Sequence, residues 1–185
     1  MKIAVYSGSF NPLHIGHLAI MEHLTLHMDF DMVYLVVSPK NPLKDGILAE
    51  SAIARYEAAC EAVARHPGLR VKVDPIELEM EPPYYTIRTL DALSDREPSS
   101  GFALVIGGDQ LANFRRWKDY DRILCDYGIV VFPREGFDSA ADAQSLLEED
   151  SSYRIEIAAF ERVDVSSTQI REMLSRGEDA GALLM

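Results

Sequence analysis

Apolar runs rich in β-branched residues alternate with segments of helical periodicity along the whole chain. In the segment 18–28, for example, Leu18, Met21 and Leu24 recur at intervals of three, which places them near one face of a helix. The segment 32–37 is almost continuously apolar, as expected of a strand that helices cover on both faces. Strands are predicted at 3–6, 32–37, 71–78, 102–106, 129–132 and 154–158, and helices at 18–28, 53–66, 86–93, 110–117, 120–124, 140–149 and 168–176.

This alternation of strands and helices predicts an α/β fold with a doubly wound, mainly parallel sheet. The chain has no internal repeat and no linker long enough to divide it, so residues 1–185 are expected to form a single domain. Sheets of this kind bind ligands at the carboxyl ends of their strands, near the point where the strand order reverses. Functional residues are therefore expected just after the predicted strands.

Composition and charge limit the kinds of partner that this protein is expected to bind. The 185 residues include 18 basic and 30 acidic side chains, a net charge of −12, with no dense cluster of lysine and arginine. Nucleic acid is therefore not an expected partner, because binding it requires a basic surface. No apolar run is long enough to span a bilayer, and the first residues do not resemble a signal peptide, so we expect a cytoplasmic protein without a membrane partner. Cys60 and Cys125 are too few for a disulfide framework and are expected to be buried, reduced thiols.

The segment after the first strand, residues 7–17, carries the first candidate chemistry. It contains neither the G-x-G-x-x-G dinucleotide pattern nor the Gly-Lys-Ser/Thr ending of a Walker A loop. Gly8 permits close approach of the backbone to a ligand, and the free N–H groups of a helix that begins near Gly16 attract an anion. His14 and His17 lie three positions apart at that helix start and can face one phosphate. The alternatives are a pair of surface histidines and a zinc site, although a third zinc ligand at familiar spacing is missing.

The stretch from Gly8 to His17 resembles the G-x-F-x-P-x-H-x-G-H signature of the nucleotidyltransferase superfamily that carries an HxGH motif. The resemblance implies a Rossmann-like nucleotidyltransferase fold in which two histidines bind the phosphates of a nucleoside triphosphate. It implies that His14 and His17 are catalytic, and that Gly8, Ser9 and Phe10 also contribute to the ATP site.

A second signature lies near the other end of the chain. Residues 166–171 are Ser-Ser-Thr-Gln-Ile-Arg and resemble the S-S-T-x-I-R motif of the same superfamily. By itself, such a string is a good helix N-cap and need do nothing more. Hydroxyls and N–H groups at a helix start can also grip phosphate oxygens, and an arginine adds a fixed positive charge. The resemblance implies that Ser167, Thr168 and Arg171 hold the triphosphate opposite the histidines.

Four segments between the two signatures, residues 38–44, 84–90, 106–117 and 133–136, limit the choice of the substrate that accepts the nucleotidyl group. They resemble the Pro-rich loop, the Y-T-x-x-T-L and I-G-x-D-x-L…W patterns and the Arg-x-Gly turn of nicotinate-nucleotide adenylyltransferases, so the resemblance covers nearly the full chain. A pyridine carboxylate needs an aromatic platform, which Trp117 can supply, and hydrogen-bond donors, which Thr86 and nearby N–H groups can supply. Without the resemblance, the same side chains are consistent with solvated loop charges and core aromatics. The implied acceptor-binding residues are Asn41, Lys44, Tyr85, Thr86, Gly107, Asp109, Trp117 and Arg134.

Two positions depart from the family pattern. The loop from Asn41 to Lys44 lacks a histidine that is common in the family. Arg88 stands where an acidic residue is common. These departures concern the loop after the second strand and the third predicted helix, and they leave both signatures intact.

The resemblance implies transfer of AMP from ATP to nicotinate mononucleotide, which yields nicotinate adenine dinucleotide and pyrophosphate in NAD biosynthesis. The attacking phosphate oxygen is already anionic at neutral pH, so no general base or enzyme nucleophile is required. His14 and His17 would donate to phosphoryl oxygens, and Lys44, the third implied catalytic residue, would counter the repulsion between two anions. Mg²⁺ would be carried by the ATP phosphates rather than by a protein metal site.

Other functions are also compatible with the sequence. Nicotinamide mononucleotide and phosphopantetheine are alternative acceptors within the superfamily. A non-catalytic nucleotide-sensing module is an alternative from a different class. A homo-oligomer is also compatible with the sequence.

Overall fold

The centre of the structure is a parallel β-sheet, seen in a computed structural model that describes residues 1–39, 51–161 and 163–185. Within these residues the sheet has six strands in the order β3-β2-β1-β4-β5-β6, and every neighbouring pair is parallel. The strands are β1 (Lys2–Gly8), β2 (Met32–Val37), β3 (Val71–Asp74), β4 (Gly101–Gly107), β5 (Ile129–Phe132) and β6 (Ile155–Ile157).

Helical segments connect the strands and cover the sheet on both faces. Among the described residues, Ile123–Tyr127 form a π-helical turn, and five of the helices given below are short, with three or four residues each. The α-helices are α1 (Ile15–Leu26), α2 (Ala52–Ala64), α3 (Ile76–Glu79), α4 (Thr86–Arg96), α5 (Gly108–Leu111), α6 (Tyr120–Arg122), α7 (Ser139–Glu149) and α8 (Ser167–Ser175), and the 3₁₀ helices are Phe114–Arg116 and Gly181–Leu183.

Two hydrophobic cores lie on opposite faces of the sheet. Successive side chains of a strand point to opposite faces, so Ile3 and Val5 of β1 enter one core and Ala4 and Tyr6 enter the other. The first core also includes residues of α4 and α7, and the second includes residues of α1 and α2. Because both faces of the central strands are covered, their sequences are continuously apolar, and the predicted doubly wound α/β fold is confirmed.

The strand order reverses beside β1. From β1 the chain builds outward to β2 and β3, then returns to place β4 on the other side of β1. Connections therefore leave β1 and β4 in opposite directions, which opens a crevice above their carboxyl ends. Gly8 ends β1 and Gly107 ends β4, so both predicted site segments start at this crevice.

Two predicted elements are wrong. The strand predicted at 71–78 ends at Asp74, because Pro75 has no N–H to continue the ladder and the Asp74 Oδ1 atom accepts a hydrogen bond from the Ile76 N–H (3.2 Å), which starts α3. The helix predicted at 110–117 is instead the single turn α5 followed by a 3₁₀ turn, and Trp117 is already extended (φ −76°, ψ 144°).

The cysteines also differ from expectation. Cys60 is half-buried, and Cys125 is exposed. The exposure of Cys125 follows from the π-helical turn, which directs Ile123 and Leu124 into the core and leaves the next side chain outside. Both thiols are reduced. No helix in the described ranges combines the length and apolar character that crossing a membrane requires.

The last α-helix, α8, is closed by Gly177, which lies just after the predicted helix 168–176. This glycine has φ +73°, its N–H donates to the Leu174 carbonyl (3.0 Å), and the Glu178 N–H donates to the Met173 carbonyl (3.0 Å). Together these two bonds form a Schellman motif, which closes α8.

Gly128 and Gly177 offer a matched test of backbone constraint, since both have positive φ (+79° and +73°). At Gly128 ψ is 167°, a combination that is essentially restricted to glycine, and an added Cβ would lie 2.9 Å from the Cβ of Arg154. At Gly177 an added Cβ meets open space. We expect Gly128→Ala to lower the free energy of unfolding by about 3 kcal/mol and Gly177→Ala by about 1 kcal/mol in urea denaturation. Equal losses would contradict the role given to the Arg154 contact.

Candidate active site

The turn after β1 is tightly packed around Phe10. Its side chain is buried, and its ring contacts Tyr6 and His17 edge-on, with centroids 5.2 Å away in both cases. A Cβ on Gly8 would lie 3.0 Å from the tip of this ring, so a larger residue there would push the ring out of place. The backbone of Phe10 has φ +42°, a conformation that is uncommon outside glycine. Phe10, predicted to contribute to the ATP site, therefore has only its backbone to offer to a ligand.

His14 and His17 form a stacked pair at the start of α1. His14 is the N-cap, which is why the helix begins at Ile15, before the predicted residue 18. Its backbone N–H donates to Nδ1 of His17 (3.2 Å), and the two rings stack with centroids 3.7 Å apart. Because Nδ1 of His17 accepts a hydrogen bond, its ring proton resides on Nε2 when the ring is neutral. His17 thus holds one N–H donor in a defined orientation.

Both histidines are neutral at physiological pH. Burial, reinforced by the positive charge of Arg134, lowers the pKa of His14 to about 4. Burial, followed by the effects of His14 and Arg134, holds the pKa of His17 well below its usual range. In the ligand-free protein the pair therefore acts as hydrogen-bonding groups and not as cations. Nδ1 of His14 is buried and finds no hydrogen-bond partner among the described residues.

The second signature lies directly on this turn. Ser166 caps α8 by accepting a hydrogen bond from the Gln169 N–H (3.2 Å). Ser167 donates its hydroxyl proton to the Pro12 carbonyl (3.0 Å), and Arg171 donates to the Asn11 carbonyl (2.7 Å). The structure thus brings together two segments that are more than 150 positions apart in the chain.

The exposed side of α8 adds polar groups beside the histidines. Arg171 also donates to the hydroxyl of Thr168 (3.0 Å), and both side chains are exposed to solvent. This bond orients the guanidinium on the surface of the helix start. Since the N–H groups there carry a partial positive charge, the region presents donors and one cation to an anion.

The last residues of the sequence, Leu184 and Met185, pack against the segment that carries the histidines, a contact that the sequence patterns did not predict. Leu184 forms an isolated antiparallel bridge with His14, and Met185 is buried in the second core beside Leu13. The Met185 carbonyl accepts a hydrogen bond from Arg65 (2.6 Å). The apolar run 183–185 after a polar stretch is the signal in the sequence that could have indicated this docking.

Gly107, Gly108, Asp109 and Arg134 form the opposite wall. A Cβ on Gly108 would lie 2.5 Å from the Ser139 hydroxyl oxygen and 3.2 Å from the Arg134 backbone nitrogen, so glycine allows the start of α5 to approach the start of α7 and the segment after β5. The Nε atom of Arg134 lies 3.7 Å from Oδ1 of Asp109, and both side chains are exposed. This wall therefore offers one carboxylate, that of Asp109, and one cation, that of Arg134, to the crevice.

A recess extends from the histidines along the carboxyl end of β5. It is small, with a volume of about 20 Å³ that holds about one water molecule, and its lining mixes polar and apolar groups. The residues that line it are His14, Gly16, His17, Ile20, Phe132, Pro133, Arg134, Phe160, Val163 and Val165. A more open crevice of about 450 Å³ shares Pro133, Arg134 and Phe160 with this recess and has the size that a nucleoside requires.

The predicted acceptor residues are only partly connected to this group. Tyr85 is the exposed N-cap of α4, and Thr86 is its half-buried first residue. Trp117 is half-buried against the first core, with its ring 5.0 Å from that of Phe114. Among the residues that the structure describes, no hydrogen bond, ion pair or ring contact joins these three to the histidine turn. Asn41 and Lys44 lie outside the described residues.

Comparisons with known proteins identify the family of this chain. Residues 5–173 match the family described as cytidylyltransferase-like. A "probable nicotinate-nucleotide adenylyltransferase" of Porphyromonas gingivalis is 38% identical over 97% of this chain and 87% of its own length. One of Flavobacterium psychrophilum, named likewise, is 38% identical over 100% of this chain and 92% of its own length. The chain therefore belongs to the cytidylyltransferase-like family and, within it, to the nicotinate-nucleotide adenylyltransferases.

Solved structures share the fold. Nicotinic acid mononucleotide adenylyltransferase of Plasmodium falciparum, complexed with NaAD, superposes with a TM-score of 0.76 at 17% identity, covering 96% of this chain and 86% of that one. The same protein complexed with APC gives a TM-score of 0.70 at 16% identity, covering 99% and 90%. These likenesses confirm the Rossmann-like nucleotidyltransferase fold.

The lowered pKa of His14 makes stability depend on pH. Between pH 6.5 and 4 the unfolded chain protonates this histidine and the folded chain does not, so its contribution is complete above pH 6.5 and is lost as the pH falls toward 4. We expect the difference in unfolding free energy between wild type and His14→Gln to shrink by about 2 kcal/mol over this window. A His14 resonance that titrates near pH 6.5 in NMR spectra of the free protein would contradict the effect of burial.

Proposed function

We propose that this protein transfers AMP from ATP to nicotinate mononucleotide, forming nicotinate adenine dinucleotide and releasing pyrophosphate in NAD biosynthesis. Membership in the family supports this activity. The observation that carries the proposal is the docking of α8 on the histidine turn. It gathers His14, His17 and Arg171 around one position at the reversal of strand order.

The ATP half of the site lies between the histidine turn, α8 and the recess beside β5. The adenosine part lies in the open crevice beside Pro133 and Phe160, and the triphosphate runs past the histidines to the start of α8. The groups that we assign to the triphosphate are the backbone of Gly8, Ser9, Phe10 and Ser167 and the side chains of His14, His17, Thr168 and Arg171.

The acceptor half lies on the other side of the β1 turn, toward α4 and the end of β4. Thr86 at the start of α4 meets the pyridine carboxylate, and the exposed face of Trp117 provides the aromatic platform. Asp109 accepts from ribose hydroxyls, and Arg134 lies beside it to meet the phosphate. The remaining acceptor residues in this proposal are Asn41, Lys44, Tyr85 and Gly107.

The reaction requires alignment and charge stabilisation. An anionic phosphate oxygen of the mononucleotide attacks the α-phosphorus of ATP, the bond from that phosphorus to the bridging oxygen breaks, and pyrophosphate leaves with the electron pair. The Nε2–H of His17 donates to the phosphoryl oxygens as their charge changes, and Arg171 stabilises the leaving pyrophosphate. No proton leaves the nucleophile, which accounts for a site without a general base.

Mg²⁺ is the divalent ion that we propose for the reaction. Among the described residues there is no cluster of three or more His, Cys, Asp or Glu side chains that could hold a metal ion. Phosphate oxygens and water are the ligands that Mg²⁺ prefers, and ATP supplies the phosphate oxygens. Bound in that way, the ion neutralises part of the charge on the triphosphate.

His17→Ala tests the proposed donor. We expect kcat to fall on the order of a hundredfold or more, because the variant loses a hydrogen bond that strengthens in the transition state. The measurement is pyrophosphate release with saturating ATP and nicotinate mononucleotide. His27→Ala is a matched control, since His27 is an exposed histidine at the other end of the same helix. A wild-type rate in His17→Ala would remove this side chain from the mechanism.

The acceptor itself is tested by comparing three substrates with the wild-type protein. We expect pyrophosphate release from ATP to be faster with nicotinate mononucleotide than with nicotinamide mononucleotide or phosphopantetheine, at equal concentrations. Faster release with phosphopantetheine would overturn the assigned acceptor. Release with none of the three would favour a nucleotide-sensing module instead.

A further inference from the structure

A buried carboxylate that the mechanism does not use lies beneath the site. Glu77 of α3 is only 2% exposed, and burial raises its pKa. Its oxygens accept hydrogen bonds from the hydroxyls of Ser38 (2.5 Å), Thr89 (2.9 Å) and Ser7 (3.5 Å). These three donors belong to the end of β2, to α4 and to the end of β1. One side chain therefore links three elements at the carboxyl edge of the sheet.

A buried guanidinium reaches the same place from the opposite side. Arg55 of α2 is 1% exposed and donates to the carbonyls of Ser9 (2.6 Å) and Ser38 (3.0 Å). Ser38 is thus held twice, through its hydroxyl by Glu77 and through its carbonyl by Arg55. We call the set Ser7, Ser38, Arg55, Glu77 and Thr89 the Ser38 network.

One end of the Ser38 network holds the turn after β1. We call it the phosphate-binding turn, because the proposed function assigns the ATP phosphates to it. The Ser9–Phe10 peptide is trans, so holding the Ser9 carbonyl on Arg55 turns the Phe10 N–H the opposite way. Phe10 has the unfavourable φ of +42°, which the surrounding contacts must maintain. Ser7, at the same end of the network, directly precedes Gly8 on β1.

The other end of the Ser38 network holds the start of α4, which the proposed function assigns to the mononucleotide. Thr89 lies three residues after Thr86, so the two side chains occupy neighbouring positions on one face of α4. The bond from Thr89 to Glu77 therefore fixes the height and rotation of the helix start relative to β1 and β2. Buried ionic groups are weak contributors to net stability, and a role in fixing one arrangement is a better account of their presence.

We propose that Glu77 and Arg55, joined through Ser38, are positioning residues that hold the phosphate-binding turn and the start of α4 at the separation needed for transfer. This inference rests on the proposed function, which places ATP on the first segment and the mononucleotide on the second. Each substrate binds through its own local contacts. The separation of the two reacting atoms, by contrast, depends on the network between them.

The test compares Glu77→Gln and Ser38→Ala with a control that loses an equivalent bond elsewhere. Tyr34 of β2 is also buried, and its hydroxyl donates to the carboxylate of Glu97 (2.9 Å to each oxygen), just after α4. Tyr34→Phe therefore removes a hydroxyl–carboxylate bond between the same parts of the fold, away from the crevice. The measurements are the thermal midpoint, the dissociation constants of ATP and nicotinate mononucleotide, and the single-turnover rate with both bound.

We expect the single-turnover rate to fall on the order of tenfold in Glu77→Gln and in Ser38→Ala, with both dissociation constants changed less than about threefold. Tyr34→Phe should keep the wild-type rate even where its thermal midpoint falls as much. The double variant Ser38→Ala/Glu77→Gln should be no slower than the slower single variant, because both changes break the same connection.

Several outcomes would overturn the inference. Wild-type rates in both variants, an equal loss of rate in Tyr34→Phe, or multiplying losses in the double variant would each do so. If Glu77→Gln does not fold, Ser38→Ala and Thr89→Val, which remove single hydroxyls from the same network, carry the comparison. These results are distinct from failure of the proposed function, in which the wild-type protein itself would release no pyrophosphate from the two substrates.

Discussion

The site depends on the contact between the turn after β1 and the start of α8. Ser167 and Arg171 donate to two successive backbone carbonyls of that turn, those of Pro12 and Asn11. These two bonds hold the start of α8 against the turn that carries the stacked histidine pair. The contact therefore completes the crevice that the reversal of strand order opens above β1 and β4.

Close packing holds the turn after β1 in place. Phe10 fills the space above Gly8, His14 and His17 stack on one another, and residues 184–185 close the underside. Such packing removes water from the imidazoles, which is the main reason that their pKa values are low. Preorganised neutral donors of this kind need little rearrangement when charge shifts on a phosphoryl group.

The sequence predicted the central strands of the sheet well, because strands buried on both faces leave almost continuous apolar runs. It also located the two signature segments, whose residues the structure places in contact. Elements governed by single residues were harder to predict: Pro75 ends β3 early, and an extended backbone at Trp117 ends the 3₁₀ turn. Buried charges such as Arg55 and Glu77 have no periodic pattern, since their partners come from distant strands and helices. Only the folded chain identifies them.

Electrostatics explains how an acidic protein of net charge −12 can still receive two anions. The neutral histidines supply hydrogen bonds without a fixed charge, so positive charge at the described crevice comes from Arg134 and Arg171, both exposed at its rim. Arg134 lies 3.7 Å from Asp109 in a solvent-exposed pair, and such pairs contribute little stability. Exchanging this partner for a phosphate therefore loses little, and the arginine gains a stronger, charge-assisted contact. The crevice thus attracts anions locally, although the protein as a whole repels them.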